Sequence, residues 1–67
     1  MTIIDEVFIE VNKRRKRAYQ NEIRLYRNIT SGHIGTEEKN FIDNKIKECE
    51  RLVEEYDGEI KKIKRGI

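Results

Sequence analysis

Apolar side chains recur through the second half of the chain at Ile42, Ile46, Cys49, Val53, Tyr56, Ile60, Ile63 and Ile67. The steps between them alternate four and three without a break. An α-helix completes a turn in about 3.6 residues, so this spacing holds all of these side chains on one stripe. A stripe that persists over so many turns is the seam of a helix packed lengthwise against another helix. No other feature narrows the possible folds as far.

The ends of that helix are marked in the sequence. Thr36 is a good N-cap, and Glu37 and Glu38 behind it complement the positive end of the helix dipole. Lys61, Lys62, Lys64 and Arg65 gather at the negative end. A second helix over about residues 36–65 is therefore expected. Gly58 lies inside it on the outer face, where it weakens the helix by about 1 kcal/mol without disturbing the register.

The first half carries a matching pattern at Ile4, Phe8, Val11, Ala18, Leu25 and Ile29, with Arg15 and Glu22 in the two remaining seats. Thr2 can cap this helix, with Asp5 and Glu6 in its first turn. The stretch Ile3–Val11 is rich in β-branched residues and could also form a short strand. Helix is preferred because Ile4, Phe8 and Val11 stay in phase with Ala18, Leu25 and Ile29. A first helix over about residues 3–30 and a turn over 31–35 follow, with Gly32 suited to a left-handed cap and Gly35 loosening the approach to the second helix.

So short a turn makes the helices antiparallel. Folding about the midpoint sets Leu25 against Ile42, Ala18 against Cys49, Val11 against Tyr56, Phe8 against Ile60 and Ile4 against Ile63. Glu22 then comes near Lys45, and Arg15 comes within reach of Glu48 or Glu55, pairs that would fix the register. The expected fold is all-α: one coiled-coil-like antiparallel hairpin domain over residues 1–67, a rod about 40 Å long at about 1.5 Å of rise per residue.

Composition agrees with this. Of 67 residues, 42% are charged and 36% hydrophobic, with both signs interspersed and no proline or tryptophan, which is the make-up of exposed helices. One seam barely offsets the conformational entropy of about 1.5 kcal/mol per ordered residue. Apolar residues outside the seam should therefore find partners. Tyr19, Ile23 and Tyr26 form a second stripe on the first helix, and Phe41 and Leu52 form one on the second. These are expected to contact another copy, giving a dimer that closes a helical bundle, or another protein. Arg24 and Arg27 flank the first of these stripes, and tyrosine and arginine are frequent at the energetic centres of interfaces.

The net charge of +2 is unevenly spread: residues 1–31 hold seven Lys/Arg against four acids, and residues 32–67 hold eight against nine. The run Lys13-Arg14-Arg15-Lys16-Arg17 goes round the helix. Lys13, Lys16, Arg17, Gln20, Arg24 and Arg27 share its outer face, a surface that could follow a phosphate backbone or simply be solvated. No helix-turn-helix, zinc or β-ribbon reading element accompanies it.

Several function classes are excluded on sequence grounds. Cys49 is the only cysteine and His33 the only histidine. No intramolecular disulfide can form, a reducing compartment is the simpler setting, and no metal constellation exists. Cys49 sits on the seam, whereas a nucleophilic thiolate needs exposure and a nearby base. The Glu48, Glu50, Glu54 and Glu55 stretch reads as a solvated face. No apolar run approaches the ~18 residues of a membrane span, and the N-terminal residues lack the basic region of a signal peptide. A cytoplasmic protein with no membrane partner, no cofactor and no enzymatic activity is expected.

One short stretch, Leu52-Val53-Glu54-Glu55-Tyr56, resembles the end of the second helix in the small helical-hairpin aspartyl-phosphate phosphatases that act on sporulation response regulators. It spans five residues. The signature serine and aspartate of that family fall at Ile46 and Glu50, so the activity does not carry over. The expected function is a protein-binding module (an inhibitor, adaptor or assembly factor) acting through Tyr19, Ile23, Tyr26, Arg24 and Arg27. The alternatives are a dimeric nucleic-acid-binding protein using Lys13, Lys16, Arg17, Arg24 and Arg27, and a structural coiled-coil scaffold.

Overall fold

The computed structural model describes residues 2–66; Ile67, the last position of the expected seam, lies outside them. The chain forms two helices, α1 over Ile3–Thr30 and α2 over Thr36–Arg65, with no strand among the described residues. Residues 3–11 are helical, so the in-phase apolar spacing prevails over the β-branched content. The helices pack against each other as an all-α hairpin, a rod of 50 × 14 × 11 Å. Helix α2 alone, with its 30 residues, runs about 45 Å at about 1.5 Å per residue.

The start of α1 is fixed as the sequence implies. Thr2 Oγ1 accepts from the Asp5 N–H at 3.1 Å, and the Thr2 N–H donates to Asp5 Oδ2 at 3.2 Å. Two N–H groups that the helix leaves open are satisfied reciprocally. The end of α1 differs from expectation. No glycine has a positive φ, so Gly32 does not act as a left-handed cap. Instead the Thr30 hydroxyl donates to the Arg27 carbonyl at 2.9 Å and the Ser31 hydroxyl to the Asn28 carbonyl at 2.7 Å. Those hydroxyls, with the Ser31 and Gly32 N–H groups, occupy the last carbonyls and remove the need for αL geometry.

The cap of α2 is Gly35 rather than Thr36, with extended geometry at φ −69° and ψ 163°. The Gly35 N–H donates to the Glu38 carboxylate, which folds back over it. Thr36 becomes the first helical residue. Further on, α2 runs unbroken through Gly58.

Helix α2 presents the expected seam. Ile42, Cys49 and Ile60 are buried, and Ile46, Val53, Tyr56 and Ile63 are half-buried among them. Helix α1 is rotated by one residue from expectation. Its inner stripe is Ile9, Asn12, Lys16, Tyr19, Ile23 and Tyr26, of which Ile9 is buried and the others are half-buried. The expected stripe lies largely outside: Ile4, Phe8, Leu25 and Ile29 are exposed, and only Val11 is half-buried.

Both stripes repeat at four and three, one residue apart, so periodicity supports them equally. The outer one is the more apolar, so buried area alone does not select the inner one. The cross-helix partners do. Tyr19 stacks on Tyr56 with ring centroids 5.8 Å apart and planes 11° apart, and Lys16 Nζ lies 2.9 Å from Asp57 Oδ1. This rotation gains a stacked aromatic pair and a charge-assisted bond.

The pairing along the rod shifts too. Tyr56 meets Tyr19 rather than Val11, and Cys49 meets Glu22 rather than Ala18. Helical side chains lean towards the N-terminus of their own helix. In this hairpin the lean carries α1 side chains away from the turn and α2 side chains towards it. A residue of α1 therefore meets one further along α2 than folding at the midpoint implies.

Candidate protein-binding face

The rotation of α1 divides its surface into three faces: an inner stripe against α2, an apolar face to one side of it and a basic face to the other. The apolar face begins at Ile3, Ile4, Val7 and Phe8 in the first two turns and ends at Leu25 and Ile29 in the last two. Phe8 is 56% exposed and Leu25 62%. Between the two apolar ends lie Arg15, Ala18 and Glu22, all exposed.

At the turn this face continues onto α2. Phe41 is 63% exposed, with Lys45 Nζ 5.5 Å from its ring centroid. Tyr26, Ile29, Phe41 and Ile42 line a shallow apolar hollow there, with Glu37 and Glu38 beside them. Exposed apolar groups clustered in this way mark binding surfaces more often than singly scattered ones.

The two charges in the middle of the face are not paired as expected. Arg15 is exposed and its guanidinium lies 5.8 Å from the Tyr56 ring centroid, a cation–π contact rather than a bridge to Glu48 or Glu55. Lys45 pairs with Glu48 within α2 at 3.9 Å, while Glu22 Oε2 accepts from the Cys49 thiol at 3.4 Å. Burial, with the Glu22 carboxylate beside it, pushes the Cys49 thiol above its ordinary range. A protonated thiol inside the seam packs as a small apolar group.

The residues expected to bind a partner fall into two groups. Tyr19, Ile23 and Tyr26 are not an outer stripe; they are half-buried against α2, and Tyr19 is covered by Tyr56. The nearby Tyr56, with burial, raises the Tyr19 hydroxyl's pKa above its ordinary value. The one-residue rotation is the reason: it exchanges this stripe with the one assigned to the seam. Arg24 and Arg27 are exposed. With Gln20, Ile23, Glu50 and Glu54 they line an open groove between the helices on the basic side. Arg27 is bridged to Glu50 across it at 3.3 Å.

The basic face is smaller than its sequence implies. Lys16 turns inward to Asp57, which Lys61 also holds at 3.0 Å. Hydrogen bonds from Lys16 first and Lys61 second hold the Asp57 carboxyl below the ordinary range. Lys13, Arg17 and Arg24 make no ion pair among the described residues. The role of Asp57 was missed in the sequence. Its signal was present, since Lys16 falls in phase with Tyr19, Ile23 and Tyr26.

Among the described residues, no helix is long and apolar enough to cross a membrane, and no group of His, Cys, Asp or Glu side chains is placed to hold a metal. Compared with family models, curated proteins and solved structures, the chain matches none of them.

Proposed function

We propose that this chain is a small non-enzymatic protein-binding module, in the manner of an inhibitor, adaptor or assembly factor. Its working surface is the apolar face of α1 with Phe41 at the turn. The observation that carries this reading is that the more apolar of the two α1 stripes stays outside, with Ile4, Phe8 and Leu25 each more than half exposed. Leaving such a stripe in water forgoes roughly 25 cal/mol for every Å² that a partner would cover. The buried single cysteine accords with a reducing, cytoplasmic setting.

The test is retention of protein from nuclease-treated extract of the source cells on immobilised chain. The wild type is compared with Phe8→Glu/Leu25→Glu, whose helicity by circular dichroism should be unchanged. Proteins held by the wild type, including the chain itself, should be lost from the variant. Equal retention by both refutes the reading. The nucleic-acid alternative has less support, since Lys16 and Arg27 are already engaged by Asp57 and Glu50. A scaffold role would leave the Phe8 and Leu25 substitutions without effect on binding.

A further inference from the structure

We infer that the apolar face of α1 docks on the same face of a second copy, with the two α1 helices antiparallel about a two-fold axis that crosses between Arg15 and Ala18. This rests on the reading of that face as a protein-binding surface and names its occupant.

The first argument is that the apolar ends of the face mirror each other. Helix α1 runs from Ile3 to Thr30, and the axis falls at its midpoint. Reversing the helix about that point brings Ile4 onto Ile29 of the other copy and Phe8 onto Leu25 of the other copy. Symmetry makes each contact twice. Ile4, Phe8, Leu25 and Ile29 are thereby each covered by an apolar residue, while Val11 falls opposite Glu22, and the helices overlap over their full length. Ala18 lies near the axis, where a small side chain lets two helices approach closely.

The second argument is charge. Arg15 and Glu22 are the charged seats of this face; both are exposed while Arg15 rests over Tyr56 and Glu22 accepts from Cys49, so a bridge to a second copy exchanges those two contacts for it. In the antiparallel arrangement Arg15 of one copy lies opposite Ala18 of the other. Its long side chain leans towards its own N-terminus, as Lys16 does to reach Asp57 in the hairpin. That lean carries the guanidinium towards Glu22 of the other copy, and the reciprocal pair forms by symmetry. A parallel arrangement would set Arg15 on Arg15 and Glu22 on Glu22. The sign pattern therefore favours one orientation and opposes the other.

The third argument is geometric. The two stripes of α1 are one residue apart, about 100° round the helix axis. A helix that packs against two neighbouring helices presents an apolar stripe to each. Helix α2 fills one. With Ile9, Ile42, Cys49 and Ile60 as its buried apolar residues, a single hairpin has a thin core, and chains of this size commonly complete theirs by association.

The experiment uses the full chain in a Cys49→Ala background with a short bis-maleimide crosslinker. Ile4→Cys alone and Ile29→Cys alone should stay monomeric on crosslinking, because their like ends are at opposite ends of the dimer. An equal mixture of the two should give a covalent dimer. Crosslinking of either variant with itself, or of neither alone nor mixed, overturns the proposal. Sedimentation equilibrium of the otherwise native chain supplies the second arm. Arg15→Glu or Glu22→Arg should each raise the dimer dissociation constant about tenfold or more, since each exchanges two attractive pairs for two repulsive ones. Combining them should restore it to within a few-fold, which a merely structural role for either residue would not do.

A chain that remains monomeric across the concentration range overturns this inference. If Phe8→Glu/Leu25→Glu still loses a different bound protein in that case, the binding function stands and only its occupant changes.

Discussion

Phe8 and Ile9 are adjacent in sequence, similar in apolar character and opposite in fate, which makes them the sharpest probe of the hairpin's rotation. Ile9 is 6% exposed and Phe8 56%. Replacing Ile9 by alanine removes roughly three carbon groups from the interface at about 0.8 kcal/mol each. A cavity term adds to this, although a two-helix seam open at its edges can partly collapse and limit it. A loss of about 2–3 kcal/mol is expected. A chain of this length has a total stability of only several kcal/mol, at about 0.05–0.15 kcal/mol per residue. Phe8→Ala should cost under about 1 kcal/mol in the isolated hairpin, since the ring is already more than half in water.

The assay is urea unfolding followed by far-ultraviolet circular dichroism at low chain concentration, where association is minimal. With a slope near 1 kcal/mol/M, Ile9→Ala should lower the midpoint by about 2 M or leave the chain largely unfolded in buffer, and Phe8→Ala should lower it by well under about 1 M. At high chain concentration the Phe8→Ala deficit should grow, because association then adds to the stability of the wild type. Equal losses from both substitutions at low concentration would refute the one-residue rotation. A larger loss from Phe8→Ala would favour the stripe that includes Ile4, Phe8 and Leu25 as the inner one.

Two further outcomes follow from the same geometry. Asp57 is held below the ordinary carboxyl range by Lys16 and Lys61, so its contribution is present above the unfolded-state value near ~3.9 and is lost as pH falls through the depressed folded value. The difference in melting temperature between wild type and Asp57→Asn should hold steady from neutral pH to about pH 5 and close below about pH 4; a gap that persists or widens at low pH would show that the carboxylate charge is not what Asp57 contributes. Thr2→Ala should destabilise the chain by about 1 kcal/mol through loss of the reciprocal cap with Asp5, while Thr36→Ala should be near neutral because Gly35 occupies the cap position. Thermal melts of the two variants check this, and an equal loss from Thr36→Ala would return the cap to Thr36.

Much of the architecture is legible in the residues. The unbroken four-three spacing from Ile42 to Ile63 fixes the inner face of α2, because that helix has one predominantly apolar stripe and its other faces are crowded with Lys and Glu. Thr2 with Asp5, and the short break between Thr30 and Thr36, likewise announce where helices begin and end. These are local properties: a cap needs only its own turn, and a single stripe has only one way to face a core.

The rotation of α1 is not local. It carries two stripes of the same period one residue apart, and periodicity does not rank them. The Ile4-to-Ile29 stripe is the more apolar and was the one expected inside. The choice rests on what α2 holds opposite each stripe: Tyr56 for Tyr19 and Asp57 for Lys16, partners that only the paired structure brings within reach. Their positions along α2 depend in turn on the lean of side chains in an antiparallel pair. The sequence by itself determined that two helices would form and which face of α2 is inward. Tertiary structure decided which face of α1 is used within the molecule and which is left free, because that decision is an energy shared between two helices and a property of neither.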